Sequence, residues 1–167
     1  ALASTLVDKR CLHRLATEQG LNVPVSRFPQ NASELDEMLP DIPMPAIIKP
    51  VTQMLTGRTP WKVRRVEDQR QLTTCCTELW DAGAELMVQE YLPGDDSRVI
   101  VFMGASGPDG RVIASCCGRK IRQSPPGGGV MASGQSQAMP HVDTMSRRFL
   151  EAIGYSGLSG IEYKVRG

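Results

Sequence analysis

The chain has 167 residues, enough for one sizeable domain or two small lobes. Hydrophobic residues make up 41% and charged residues 22%, an ordinary globular balance, while the aromatic share of 5% argues against a stacking platform for single-stranded nucleic acid. A formal net charge of +1 gives no reason to expect a nucleic-acid or membrane-surface partner, and no run approaches the roughly 20 apolar residues of a membrane span.

Asp8 is a good N-cap for a helix whose Leu12, Leu15 and Ala16 recur at helical spacing until Gly20, a natural C′ residue. An extended Val25–Phe28 follows, then a short helix from Ser33, as its cap, to Leu39, closed by Pro40. Ala46-Ile47-Ile48-Lys49-Pro50 reads as a short buried strand with a lysine at its end. Beyond a polar loop containing Gly57, Trp61–Val66 alternates as a strand should. Leu72, Cys75, Cys76 and Leu79 mark a helix over Glu67–Trp80, and Glu85–Leu92 is a strand running into the turn Pro93-Gly94-Asp95-Asp96. Arg98–Met103 and Arg111–Ile121 form a hairpin. Ser124–Gly134, with four glycines and two prolines, reads as a mobile lid too poor in apolar residues to pack. A helix over Thr144–Ile153 and a strand over Gly157–Val165 complete the chain.

Several of these segments carry chemistry. Lys49 is costly to bury unpaired and would suit a phosphate, although a lone lysine at a strand end more often simply reaches solvent. Gly57 would let backbone amides approach an anion, but Gly-x-x-x-x-Gly-Lys-Ser/Thr occurs nowhere, so this is not a P-loop. Strand alternation predicts Lys120 and Arg122 on one face, two cations that repel unless an anion lies between them. Glu162 and Lys164 share a face of the last strand, with Ile161 and Tyr163 on the other, and Glu162 is a candidate Mg²⁺ ligand. The five cysteines lack ligand spacing and read as small residues of a reducing, cytoplasmic protein. His13 and His141 stand alone and read as structural or solvent-facing.

Taken in order, these motifs resemble the ATP-grasp superfamily. Asp8-Lys9 opens a helix ending in Gly20-Leu21-Asn22-Val23-Pro24; Pro45–Pro50 resembles the strand lysine motif, Met87–Gly94 the inter-lobe hinge, and Ser159–Lys164 the strand of the first metal carboxylate. Gly118–Pro126 is most similar to carboxylate–amine ligases related to D-aspartate ligase and to predicted carboligases. The resemblance implies an α+β fold of two lobes, 1–92 and 93–167, with the nucleotide cleft between them and the C-terminal part incomplete.

It also implies roles. Lys9 and Lys49 would hold the α- and β-phosphates under the Gly57 loop, and Gln89, Glu90 and Leu92 would frame adenine. Asp95 or Asp96 would take the ribose, Lys120 and Arg122 would neutralise the γ-phosphate or an acyl phosphate, and Glu162 would bind Mg²⁺. The implied partners are ATP, a small carboxylate, an amine or other nucleophile, and further segments of the same chain before and after this one. The family pattern of a second metal-binding Glu followed by x-Asn is absent from these residues, so the fragment alone is expected to be inactive. The alternative is a non-catalytic nucleotide sensor of the same shape.

Overall fold

The structure is a computed structural model, and it describes residues 2–52, 63–126 and 128–165. The chain divides into two compact units, Ala1–Tyr91 and Leu92–Gly167.

The first unit begins with helices α1 (Leu2–Leu6) and α2 (Lys9–Glu18). Asp8 caps α2 as expected, its carboxylate accepting the Arg10 amide at 2.8 Å, and Gly20 leaves the helix at a φ of 72°. After β1 (Ser26–Arg27) comes α3 (Ala32–Met38), which starts earlier than Ser33 predicted. Its cap is Asn31, whose carbonyl oxygen accepts the Glu34 amide at 3.0 Å, while Glu34 reaches back to the Gln30 amide. This is a capping-box arrangement, and Ser33 already lies inside the first turn. A 3₁₀ turn over Leu39–Asp41 accommodates Pro40. Strands β2 (Ala46–Pro50), β3 (Arg64–Val66) and β4 (Leu86–Glu90) join β1 in an antiparallel sheet of order β1-β4-β2-β3.

Helix α4 (Gln69–Asp81), capped by Asp68, buries the four residues its spacing singled out, Leu72, Cys75, Cys76 and Leu79. They pack with Leu35 of α3 and with Ala46, Ile48 and Val88 of the sheet into one core. Alternation along β2 therefore turns Ala46, Ile48 and Pro50 inward and leaves Ile47 and Lys49 half-buried on the opposite face.

The second unit is built on a 13-residue strand, β6 (Val112–Ser124), flanked by β5 (Val99–Ser106) and β7 (Val130–Ser136). Helix α5 (Pro140–Ala152) crosses to β8 (Gly157–Lys164), giving the order β7-β6-β5-β8, antiparallel throughout. Pro140 occupies the first turn of α5, where its missing N–H costs nothing, so the helix starts earlier than the apolar stripe from Thr144 indicated. Phe149 and Leu150 of α5 and Ile100 and Phe102 of β5 are buried, while Asp143 and Arg147 clamp α5 to Ser115 of β6.

The segment expected to be a floppy lid, Ser124–Gly134, includes the first five residues of β7, Val130 to Gly134. Every residue of β7 is exposed, so no buried face imposes an apolar alternation, and its presence rests on backbone pairing to β6. Among the described residues no helix is long and apolar enough to cross a membrane.

Candidate functional site

In the first unit, α2 is joined to the end of β2. The Lys9 ammonium donates to the carbonyl oxygens of Pro50 (2.7 Å) and Val51 (3.2 Å), and the Lys9 amide also donates to Val51. Burial pulls the Lys9 pKa down, partly offset by the neighbouring Asp8. Lys49 projects from the sheet face opposite the one that packs on α3 and α4. Its ammonium lies 2.8 Å from Gln89 Oε1, and Gln89 Nε2 donates to Ser26 Oγ at 3.0 Å. Three strands thus hold a polar chain in which Gln89 is only 9% exposed and its amide orientation is fixed by a donor on one side and an acceptor on the other.

At the expected hinge, β4 is an interior strand, with the Glu90 amide donating to the Val25 carbonyl and the Tyr91 amide to the Pro45 carbonyl. These N–H groups are committed within the unit, and Leu92 opens the next one. Gly57 and its loop lie outside the described residues.

The second unit gathers the denser cluster. Lys120 is completely buried, and its ammonium sits 2.7 Å from Glu162 Oε1 and 3.1 Å from Gln123 Oε1. The Glu162 side chain is 57% exposed, so the pair joins a sequestered cation to an accessible carboxylate. Gln123 in turn donates from Nε2 to Asp96 Oδ1 (2.6 Å) and from its backbone to Asp96 Oδ2 (2.8 Å). Lys164, on the Glu162 face of β8, donates to the Gly94 carbonyl at 2.9 Å, and its pKa is lowered by burial against the pull of Asp96 and Asp95. Tyr163 points the other way, its hydroxyl 2.9 Å from Ser146 Oγ of α5, as the alternation of β8 predicts.

Two expectations change here. Arg122 does not share a face with Lys120: Ile121 is an extra residue in β6 relative to β7, between the pairs Lys120–Gly134 and Arg122–Ser133. This bulge reverses the alternation, leaving Ile121 and Arg122 exposed and turning Gln123 inward beside Lys120. Asp95, exposed, caps the 3₁₀ turn Asp96–Arg98 and accepts from both the amide (2.9 Å) and the hydroxyl (2.6 Å) of Ser97, bonds that hold its carboxyl below the usual range. Of the two acids, Asp96 is the one tied into the Lys120 cluster.

Sequence reasoning missed Gln123 as a partner of Lys120, because the bulge that brings them together leaves no compositional mark. Among the described residues no group of three or more His, Cys, Asp or Glu could hold a metal ion. Glu162 is a single accessible oxygen donor, which fits Mg²⁺ when phosphate oxygens and water complete its shell.

No family profile matches the sequence. Two curated relatives are formate-dependent phosphoribosylglycinamide formyltransferases. That of Shewanella frigidimarina (strain NCIMB 400) is 27% identical over 173 residues, covering 99% of this chain and 42% of the relative. That of Cronobacter sakazakii (strain ATCC BAA-894) is 28% identical over 171 residues, with the same coverage of 99% and 42%. The chain thus spans about two fifths of the length of these relatives.

Among solved structures, an ADP complex of N5-carboxyaminoimidazole ribonucleotide synthetase superposes with a TM-score of 0.74 at 13% identity, over 98% of this chain and 42% of that one. The ATP-grasp ligase PsnB, complexed with a precursor peptide and AMPPNP, gives 0.63 at 19% identity over 97% and 46%. The VanG D-Ala:D-Ser ligase of Enterococcus faecalis gives 0.66 at 18% identity over 96% and 48%. The chain thus shares its fold with these ligases, the ATP-grasp ligase PsnB among them.

Proposed function

We propose that the chain is the nucleotide-binding part of an ATP-dependent ligase, ADP-forming, that activates a small carboxylate as an acyl phosphate and transfers it to an amine or thiol. The observation that carries this reading is the fully buried Lys120 held 2.7 Å from the accessible Glu162. Burying an ammonium is costly, and a protein that only needed stability would gain by replacing it with a hydrocarbon. The similarity to formate-dependent formyltransferases and to a D-Ala:D-Ser ligase supports the same class of chemistry.

The roles are those that the resemblance to ATP-grasp ligases implies. Lys49, steadied by Gln89, holds the α- and β-phosphates, with Lys9 at the adjoining strand end. Gln89, Glu90 and Leu92 frame the base, and Asp96 or Asp95 accepts from the ribose hydroxyls. Lys120 faces the γ-phosphate. A substrate carboxylate oxygen attacks the γ-phosphorus, the bond to the β–γ bridging oxygen breaks, and ADP leaves. The nucleophile then attacks the acyl carbon, and phosphate departs with the bonding electrons. No side chain needs to become covalently attached, so cationic positioning does most of the work. Mg²⁺ held through Glu162 supplies neutralisation of the transferring oxygens. Arg122, exposed on the bulge, is assigned to the incoming anion rather than to the Lys120 cluster. The free thiols among the described residues suit the reducing cytoplasm in which we place the enzyme.

Calorimetric titration of Mg-ATP into the full-length parent protein, with Lys49→Ala alongside, tests the reading. The variant should bind at least tenfold more weakly, a loss of about 1.4 kcal/mol. An intact parent that binds no nucleotide sinks the proposal. ADP release that depends on an added carboxylic acid separates the ligase from a nucleotide sensor.

A further inference from the structure

The Lys120 cluster contains a group with no part in the scheme above. Gln123 is buried, 8% exposed, and both ends of its carboxamide are engaged: Oε1 by the Lys120 ammonium at 3.1 Å, Nε2 by Asp96 Oδ1 at 2.6 Å. Its backbone amide donates to the other oxygen of Asp96 at 2.8 Å, so the aspartate grips Gln123 through two bonds. The neighbours leave the amide one orientation, because an ammonium cannot accept and a carboxylate cannot donate. Asp96 lies in the 3₁₀ turn Asp96–Arg98, which Arg119 anchors through a 2.6 Å bond from its guanidinium to the Ser97 carbonyl. The chain of contacts therefore runs from an anchored turn through Gln123 to Lys120 and on to Glu162.

A lysine has four rotatable side-chain bonds and a strongly hydrated head, so fixing its ammonium without an enclosing set of acceptors is entropically expensive. Glutamine is suited to the task. It accepts from the ammonium while contributing no charge, so it fixes Lys120 without a second carboxylate directly against the cation that is to meet a phosphate. The Ile121 bulge is what delivers it, since regular alternation would set Arg122 there instead.

We propose that Gln123 is a positioning residue: oriented by Asp96, it presets the Lys120 ammonium for the terminal phosphate of a nucleoside triphosphate, and so contributes to preference for the triphosphate over the diphosphate. This rests on the ATP-binding reading given above.

The test is calorimetric affinity for ATP and for ADP, each with Mg²⁺, in the full-length protein and in Gln123→Met and Gln123→Glu variants. Methionine keeps the volume and drops both hydrogen bonds. Glutamate keeps an acceptor for Lys120 but brings a negative charge beside Asp96 and the phosphate. Both variants should lose about tenfold in ATP affinity, about 1.4 kcal/mol, with ADP affinity within twofold of the parent. A purely structural role would weaken both nucleotides together. Folded variants whose ATP-to-ADP affinity ratio stays within twofold of the parent overturn the assignment of Gln123 while leaving the ATP site standing. If Gln123→Met fails to fold, Gln123→Glu alone decides. A parent that binds neither nucleotide overturns both readings.

Discussion

At the scale of single residues, Lys120→Met separates stability from ligand handling. Removing an ammonium that is fully buried abolishes its desolvation cost, and the methionine keeps most of the packing. Denaturant midpoints should stay level or rise, while ATP affinity falls. A loss of more than about 2 kcal/mol in stability would instead make Lys120 a structural residue. Glu162→Gln should behave differently: it strips the carboxylate from a buried cation while leaving one acceptor, and should cost about 1–2 kcal/mol because Glu162 itself faces water. The thiols offer a second check. Burial pushes Cys76 up to about 12, so it should resist thiol reagents at neutral pH until the protein unfolds; Cys75 is shielded by its own burial, whereas exposed Cys116 should react at once. The residues assigned from sequence divide along similar physical lines. Lys49 stands out as a charge on a predicted apolar strand that needs a partner, whereas Lys120 and Glu162 are singled out by strand alternation and by the resemblance to ATP-grasp ligases. Gln123 does not stand out, since a neutral polar residue at the end of a basic strand is unremarkable until its neighbours are known.

At the scale of elements, caps and edges decide which features sequence can reveal. Helices α2 and α4 announce themselves through Asp8 and the Leu72–Leu79 stripe, because capping and amphipathic burial leave fixed spacings. The start of α3 differs from the expected one because two caps lie close together, and Asn31 prevails over Ser33 through Glu34, which reciprocates three residues later. Asn31→Ala should therefore cost about 1 kcal/mol in urea denaturation, and Ser33→Ala almost nothing. Strand β7 escaped notice because a wholly exposed edge strand needs no hydrophobic alternation. The same exposure has a dynamic consequence. In native-state hydrogen exchange, β7 amides should exchange by local opening, well before those of β5, whose Ile100 and Phe102 are buried. Equal protection in the two strands would contradict this.

At the scale of the whole molecule, the order of the motifs, Lys49, the Met87–Gly94 segment, the basic strand and Glu162, is what the resemblance to ATP-grasp ligases rests on, and the solved structures share that fold. What order could not carry was register. A two-residue period fixes which side of a strand faces inward only while the strand stays regular, and β6 does not. Global stability should also record the buried thiol. Below pH 9 Cys76 is protonated whether folded or not, and it exerts no pH effect. Between the ordinary value of 9.0 and about 12 the unfolded thiol ionises while the folded one does not, so stability falls as pH rises through that window. The slope from this group approaches about 1.4 kcal/mol per pH unit. Cys76→Ala should flatten that part of the curve, measured as denaturant midpoint against pH, despite the cavity it leaves.

The bulge at Ile121 acts as a phase inverter written into the chain. Anyone transplanting this strand into another scaffold, or aligning it without gaps to a strand that lacks the insertion, would carry every residue after it to the wrong side of the sheet. A single-codon deletion of Ile121 would accordingly be milder than flattening the bulge: with Ile121 gone, regular alternation from Lys120 still sets Arg122 outward and Gln123 inward, whereas a straightened strand that kept all its residues would seat Arg122 beside Lys120.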